Sequence, residues 1–320
     1  MYSWNDLKIN VEGSNKEFLD GVRKYINAVY IHDYEGDCDV NVTVYNSNNE
    51  GFPEVPAGSK KIKSLVYNMN TEIRLDVFSS GKQSWYIYRN TAGIWFNPEN
   101  NEMQLWIEGM PLDFEYYNVL IFFLHPLGTL LESLGYFRLS GSCGALDNQA
   151  VIFAGPHGSG KSTSSFTIPT HGGHIISDDL TFVWKDDSCY HASSLTRLVG
   201  LGLDTANKFF PELNRVHSAA FFNENIYYFL EDINSSRPEE VKLSVIAFLN
   251  KSGKKATACS EAKPAEIMPL LFPDGIHTNI EENTGARFLF IAELLEQVKT
   301  CKLTFGTDMN DFIDHIKKIL

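Results

Sequence analysis

Cysteine is scarce in this chain of 320 residues. Cys38, Cys143, Cys189, Cys259 and Cys301 are few, scattered and odd in number. That argues against a disulfide framework and against a zinc site, and makes a reducing cytoplasm the simplest setting. Long apolar runs are missing as well. The longest, around Val119 to Leu124, stops far short of the roughly 20 residues a membrane span needs, so no membrane partner is expected. The opening Met1-Tyr-Ser-Trp-Asn-Asp lacks a basic stretch followed by an apolar one, so no signal peptide is expected. Positive charge is in deficit: 27 Lys and Arg stand against 40 Asp and Glu, for a formal charge of −13. A nucleic-acid surface demands clustered cations, so nucleic acid is not expected as a partner. A nucleoside triphosphate is a different case, because backbone amides and one lysine suffice to hold it. Internal repeats and low-complexity tracts are also absent from the sequence.

What remains is an ordinary globular composition, 43% hydrophobic and 21% charged, long enough for two domains or one large elaborated one. After a first helix expected over Asn15 to Val29, the N-terminal part reads as strands. Asp39-Val-Asn-Val-Thr-Val-Tyr45 alternates strictly, and Ile62–Tyr67, Glu72–Phe78, Ser84–Tyr88, Gly93–Phe96 and Glu102–Ile107 follow between Asn-, Gly- and Pro-bearing turns. They predict a meander or small antiparallel sheet. From Asp113 to Gly135 the period changes to an apolar helical stripe, Tyr116, Val119, Leu120, Phe123, Leu127, Leu130, Leu131 and Leu134, read as a bridge to the second part. The second half alternates apolar strands with helical segments, the pattern of an α/β core. The expected division is a β-rich N-terminal domain over residues 1–137, for substrate recognition or regulation, and a second domain over 138–320. Asn223 to Val241 reads as a long loop.

One stretch organises that second half. Ala150-Val-Ile-Phe-Ala is a short buried-strand run, and Gly155-Pro156-His157-Gly158-Ser159-Gly160-Lys161-Ser162 satisfies G-x-x-x-x-G-K-[ST], with Thr163 adding a hydroxyl. Strand, glycine-rich loop and helix start aim backbone N–H groups at phosphate oxygens. Gly155 to Thr163 are therefore the expected ATP-binding residues, with Lys161 on the β- and γ-phosphates and Ser162 on a Mg²⁺ ion. A nucleotide loop needs carboxylates beyond it, and Asp178-Asp179 follows the apolar Ile175-Ile176 one helix-length later. One carboxylate supports the metal and the other takes a proton from a hydroxyl nucleophile; the residues alone do not order them. Arg197 and Arg237 are the arginines best placed to neutralise transition-state charge.

The run Leu139-Ser-Gly-Ser, Val151 to Thr163 and Gly173-His-Ile-Ile-Ser-Asp-Asp resembles the C-terminal domain of HPr kinase/phosphorylase and its bacterial relatives, among them lasso-peptide kinases. That group is similar in fold to phosphoenolpyruvate carboxykinase. A weaker likeness continues through a Leu-rich helix and Cys301-Lys-Leu-Thr-Phe-Gly, and Leu198-Val-Gly-Leu-Gly-Leu203 is similar to the family's segment after its second strand. The resemblance implies an α/β P-loop kinase core behind the β-rich N-terminal domain. It implies ATP and Mg²⁺ as cofactors, Asp179 as proton acceptor, and Asp178 with Ser162 at the metal. The chain departs from the family where a catalytic histidine is replaced by Ser140, a metal-binding glutamate by Arg197, and an acidic residue by Thr163. Those departures bear on the phosphorylase direction and on HPr as substrate. The expectation is thus a cytoplasmic kinase acting on a Ser or Thr hydroxyl of a peptide or protein, such as a peptide natural-product precursor. Its rivals are a nucleotide-gated binding protein without turnover and a small-molecule kinase. A homo-oligomer is left open for this chain, though the family's oligomers do not imply it, because the N-terminal half differs.

Overall fold

Period-two patterning builds the first unit around one sheet. The structure is a computed structural model describing residues 1–31, 36–69, 71–234, 238, 240–251, 255–272 and 281–320. By its contacts the chain divides after Leu134 into two compact units. In the first, β1 (Tyr2–Trp4), β2 (Leu7–Gly13), β3 (Val29–Tyr30), β4 (Val40–Asn46), β5 (Lys60–Met69), β6 (Thr71–Ser80), β7 (Gln83–Tyr88), β8 (Ala92–Asn97) and β9 (Glu102–Ile107) form a nine-stranded sheet ordered β3-β1-β2-β4-β9-β8-β7-β6-β5. The meander from β5 to β9 is antiparallel. The strictly alternating β4 instead lies parallel to both β2 and β9, so the sheet is larger than the sequence suggested and mixed.

Helix α1 (Lys16–Tyr25) starts where Asn15 accepts a hydrogen bond from the Phe18 N–H and donates one to the Ile107 carbonyl, tying the cap to β9. A four-residue helix, α2 (Ser47–Glu50), follows β4. The stripe from Tyr116 onward becomes α3 (Glu115–Val119), a π-helical turn over Leu120–Leu124, and α4 (His125–Ser133). In that turn the His125 N–H reaches back five residues to the Leu120 carbonyl. Pro126 comes directly after that turn in a helix that runs on through it, where the widened ladder makes room for a residue without an N–H. This helix is buried nearly all round rather than along a stripe, and it belongs to the first unit. Phe123 meets Phe18 of α1 at 6.5 Å and Phe122 packs edge-on to Tyr88 at 5.0 Å. Each such buried aromatic contributes about 1.5–3 kcal/mol of transfer free energy.

The second unit contains β10 (Phe137–Ser140), β11 (Ser142–Leu146), β12 (Gln149–Ala154), β13 (His174–Ser177), β14 (Leu180–Lys185), β15 (Tyr190–Ser193), β16 (Leu198–Gly202), β17 (Ala220–Phe222), β18 (Asn225–Phe229), β19 (Val241–Lys251), β20 (Ala258–Glu261) and β21 (Lys299–Phe305). Its helices are α5 (Lys161–Thr167), α6 (Leu203–Phe209), α7 (Leu230–Ile233), α8 (Pro264–Leu271), α9 (Glu281–Gln297) and α10 (Met309–Ile319). The main sheet runs β10-β14-β15-β19-β12-β11-β13, and β21 with β20 joins it through β19. β12, β19 and β21 are parallel.

Alternation along β12 sends Ala150, Ile152 and Ala154 into a core with α8 and α9, and Val151 and Phe153 into a second core with α10. A register shift opposite Ala150/Val151 flips the parity of β19, so Val241, Leu243 and Ile246 face the first core while Val245, Ala247 and Leu249 face the second. A small sheet, β16-β18-β17, packs with α6 and Phe166 in a third core. Asn223 to Val241 is therefore not one long loop, because β18 and α7 lie within it. Arg237 lies outside the described residues. The overall architecture is mixed α/β with two large sheets.

Candidate functional site

The glycine-rich loop leaves the carboxyl end of β12, between parallel β19 and antiparallel β11. In open α/β sheets such strand ends are where ligands collect. A Cβ on Gly155 would stand 2.7 Å from the Ser159 hydroxyl and 3.0 Å from the Leu249 carbonyl, so only glycine fits. Ser159 N–H closes the turn on the Pro156 carbonyl at 3.1 Å. Gly160, at φ 101°, supplies the left-handed step from which α5 begins. Pro156, His157 and Gly158 are exposed, and Thr163 is half-buried with its carbonyl taken by the Thr167 hydroxyl at 2.8 Å.

Lys161 folds back over the loop, its ammonium donating to the carbonyls of Gly155 at 3.0 Å and Pro156 at 3.3 Å. The hydroxyls of Ser159 and Ser164 are buried without a hydrogen-bond partner. Unpaired buried hydroxyls beside a cation resting on carbonyls leave polar capacity unspent at this one turn.

Across from the loop, β13 ends and the chain turns through Asp178-Asp179 into β14. Asp179 is exposed and sits at φ 62°, an uncommon conformation for a residue with a Cβ. Two backbone bonds hold it there: Leu180 N–H to the Asp178 carbonyl at 2.8 Å, and Gly141 N–H to the Asp179 carbonyl at 2.9 Å. Asp178 points inward. Its Oδ2 accepts from the Gly200 N–H at 3.3 Å, while Oδ1 is buried with no partner. Burial, and then the neighbouring Asp179 charge, push the Asp178 carboxyl up to about 7; the Ser162 hydroxyl and the N–H groups of Gly200 and Asp179 pull the other way. The first turn of α5 and the end of β13 thus bring Ser162 and Asp178 side by side.

Ser140 closes β10 opposite Leu180, one ladder step from the aspartate turn. Arg197 has different company. Its guanidinium is bonded to Glu231 and lies 5.4 Å from the Phe229 ring centre, and burial lowers its pKa against the counter-effect of Asp232. Two contributors had no weight in the sequence reading. Gly200 supplies the N–H that fixes Asp178. Asn234 bonds both backbone groups of Ile175, at 3.2 and 3.0 Å, and so pins β13. The Gly-Leu-Gly run was the available signal for the first; an asparagine 59 residues from its partner gave none.

No family model and no curated protein matches this chain. Among solved structures, the Hpr(Ser) kinase/phosphatase from Coxiella burnetii is similar over 57% of this chain and 97% of its own, with a TM-score of 0.31 and 7% identity. A likeness of that grade leaves the functional reading to the residues themselves. No described helix is long and apolar enough to cross a membrane.

Proposed function

We propose that this chain is an ATP- and Mg²⁺-dependent kinase that transfers the γ-phosphoryl group to a Ser or Thr hydroxyl of a peptide or protein. The observation that carries the reading is the pairing of Ser162 with an inward Asp178 whose Oδ1 is buried and unbonded. A hydroxyl and a carboxylate with spare lone pairs are the donor set that Mg²⁺ takes, and the ion supplies charge neutralisation between phosphate oxygens. The same placement supports one order of the two aspartates. Asp178 supports the metal, and exposed Asp179 is left to accept the proton of an incoming hydroxyl. Lys161 exchanges two carbonyl contacts for phosphate oxygens, and the N–H groups of Gly158, Gly160, Lys161 and Ser162 line the anion cradle. Its intimate work is positioning and electrostatics, which is what phosphoryl transfer needs from a protein.

The test is ADP formation from ATP and Mg²⁺ with Ser- and Thr-containing peptides. Lys161→Ala and Asp179→Asn are each expected to lower turnover by about 10²–10³-fold, the usual loss for one transition-state contact. Turnover that survives both changes refutes the reading. ATP binding by calorimetry without ADP release would identify a nucleotide-gated binding protein instead, the reading that the Arg197–Glu231 ion pair favours because it removes one cation from service.

A further inference from the structure

The hairpin joining β14 to β15 gathers three side chains of a different chemistry. Asp186, Cys189 and His191 place one oxygen, one sulfur and one nitrogen all within 4.8 Å of one another. His191 Nε2 is the common point, 2.8 Å from Asp186 Oδ2 and 3.4 Å from Cys189 Sγ. We propose that these three side chains form a zinc-binding site at the tip of this hairpin, with water completing the coordination.

The residues are held ready for it. Asp186 Oδ1 accepts from the N–H groups of Ser188 and Cys189 and from the Ser188 hydroxyl, at 2.7 to 2.8 Å, which fixes the carboxylate and leaves Oδ2 turned to the histidine. Those bonds, the Cys189 N–H foremost, hold the Asp186 carboxyl well below the usual carboxylate range. The His191 ring lies nearly flat against Trp184, 5.4 Å between centres, and its other nitrogen faces Glu240 at 3.7 Å. A carboxylate behind the ligating imidazole is the usual outer support of a zinc histidine. Tetrahedral zinc with bonds of about 2.0–2.3 Å sets its ligand atoms about 3.3–3.6 Å apart. The Sγ to Nε2 distance meets that already, and the Oδ2 to Nε2 distance needs to open by under about 1 Å. Zinc enters where a proton now bridges Asp186 and His191, and the Cys189 thiol gives up its own proton as the Zn–S bond forms.

At about 3.3 Å per residue along β14, this tip lies about 20–25 Å from Asp178. The site is structural, and it stands or falls independently of the kinase reading. Fusing the two strands' ends, the metal would fix the register of β14, whose other end carries the aspartate turn.

Cobalt reports the site directly. In excess Mg²⁺, which occupies oxygen-only sites, one equivalent of Co²⁺ is expected to give a thiolate-to-metal charge-transfer band that Zn²⁺ abolishes. Cys189→Ser should remove the band, Cys259→Ser should keep it, and Glu240→Gln should weaken affinity by about 10-fold. Zn²⁺ should raise the unfolding temperature of the wild type and leave that of His191→Ala unchanged. Wild-type protein without the band, a band that persists in Cys189→Ser, or His191→Ala with wild-type affinity overturns the proposal.

Discussion

Replacing Asp178 by asparagine should make the protein more stable at alkaline pH than the wild type. The carboxyl is raised from 3.8 to about 7 because its Oδ1 is buried without a partner and Asp179 stands beside it. A folded-state value above the unfolded one means that the neutral form stabilises the fold. That stabilisation is complete below about pH 4, falls away as pH climbs to about 7, and stays lost above it. At about 1.4 kcal/mol for each tenfold in proton affinity, the loss approaches about 4 kcal/mol. Asparagine never ionises, and its carbonyl still accepts from Gly200. Its amide must find a partner where Oδ1 has none, at a cost of about 1–3 kcal/mol that does not vary with pH. The clean readout is therefore the change in the difference between the two proteins. Urea unfolding at about pH 4 and about pH 8 should show the variant gaining several kcal/mol on the wild type between them. Mg²⁺ should restore the wild type at pH 8 and do nothing for the variant. Parallel stability curves for the two proteins across that range would refute both the buried carboxyl and the metal role built on it.

The other expectations are simpler to read. Asp179→Gly relieves the left-handed backbone at φ 62° and removes the charge facing Asp178. Stability should hold or rise by up to about 1 kcal/mol while ADP formation is lost, a combination that urea unfolding and turnover assays separate. Gly160→Ala forces a Cβ into φ 101°; a loss of about 1–2 kcal/mol in unfolding free energy is expected, with weakened binding of an ATP analogue by calorimetry. Asn234→Ala leaves both backbone groups of Ile175 unpaired in the interior, so about 2–3 kcal/mol should go, together with faster amide exchange along β13.

Much of this was legible in the residues, and the reasons are local. β4 follows from strict alternation and β5 to β9 from aromatic- and β-branched-rich runs bounded by turn chemistry, and the Gly155 to Ser162 loop from a spacing that fixes its own geometry. β1 was hard to see because Tyr2–Trp4 is only three residues long, whereas Leu7-Lys-Ile-Asn-Val-Glu in β2 alternates as regularly as β4 and was legible but passed over. The parallel placement of β4 depends on partners distant in sequence, which alternation cannot specify. β18 and α7 were hidden by the Asn-Ser-Ser-Arg-Pro that follows them, whose turn signal was spread too far upstream. At the site, the Ser162–Asp178 neighbourhood was anticipated from one helix-length of spacing. The Glu231 partner of Arg197 was not, since an arginine says nothing of which acid it will find. Asp186, Cys189 and His191 stood within six residues of one another, yet a search for paired cysteines passed over them.

The π-helical turn at Leu120–Leu124 amounts to one residue more than an α-helix would hold. Deleting it would let every amide return to the ordinary four-residue reach, and local hydrogen bonding would improve. The cost would fall further on, because the removal swings α4 by about 100° about its axis. Leu127, Leu130 and Leu131 would then take the places of Pro126, Thr129 and Leu130, and each side chain beyond the turn would meet a packing site shaped for its predecessor. The awkward turn acts as a phase corrector, so in this stretch the protein should accept many substitutions more readily than a single shortening.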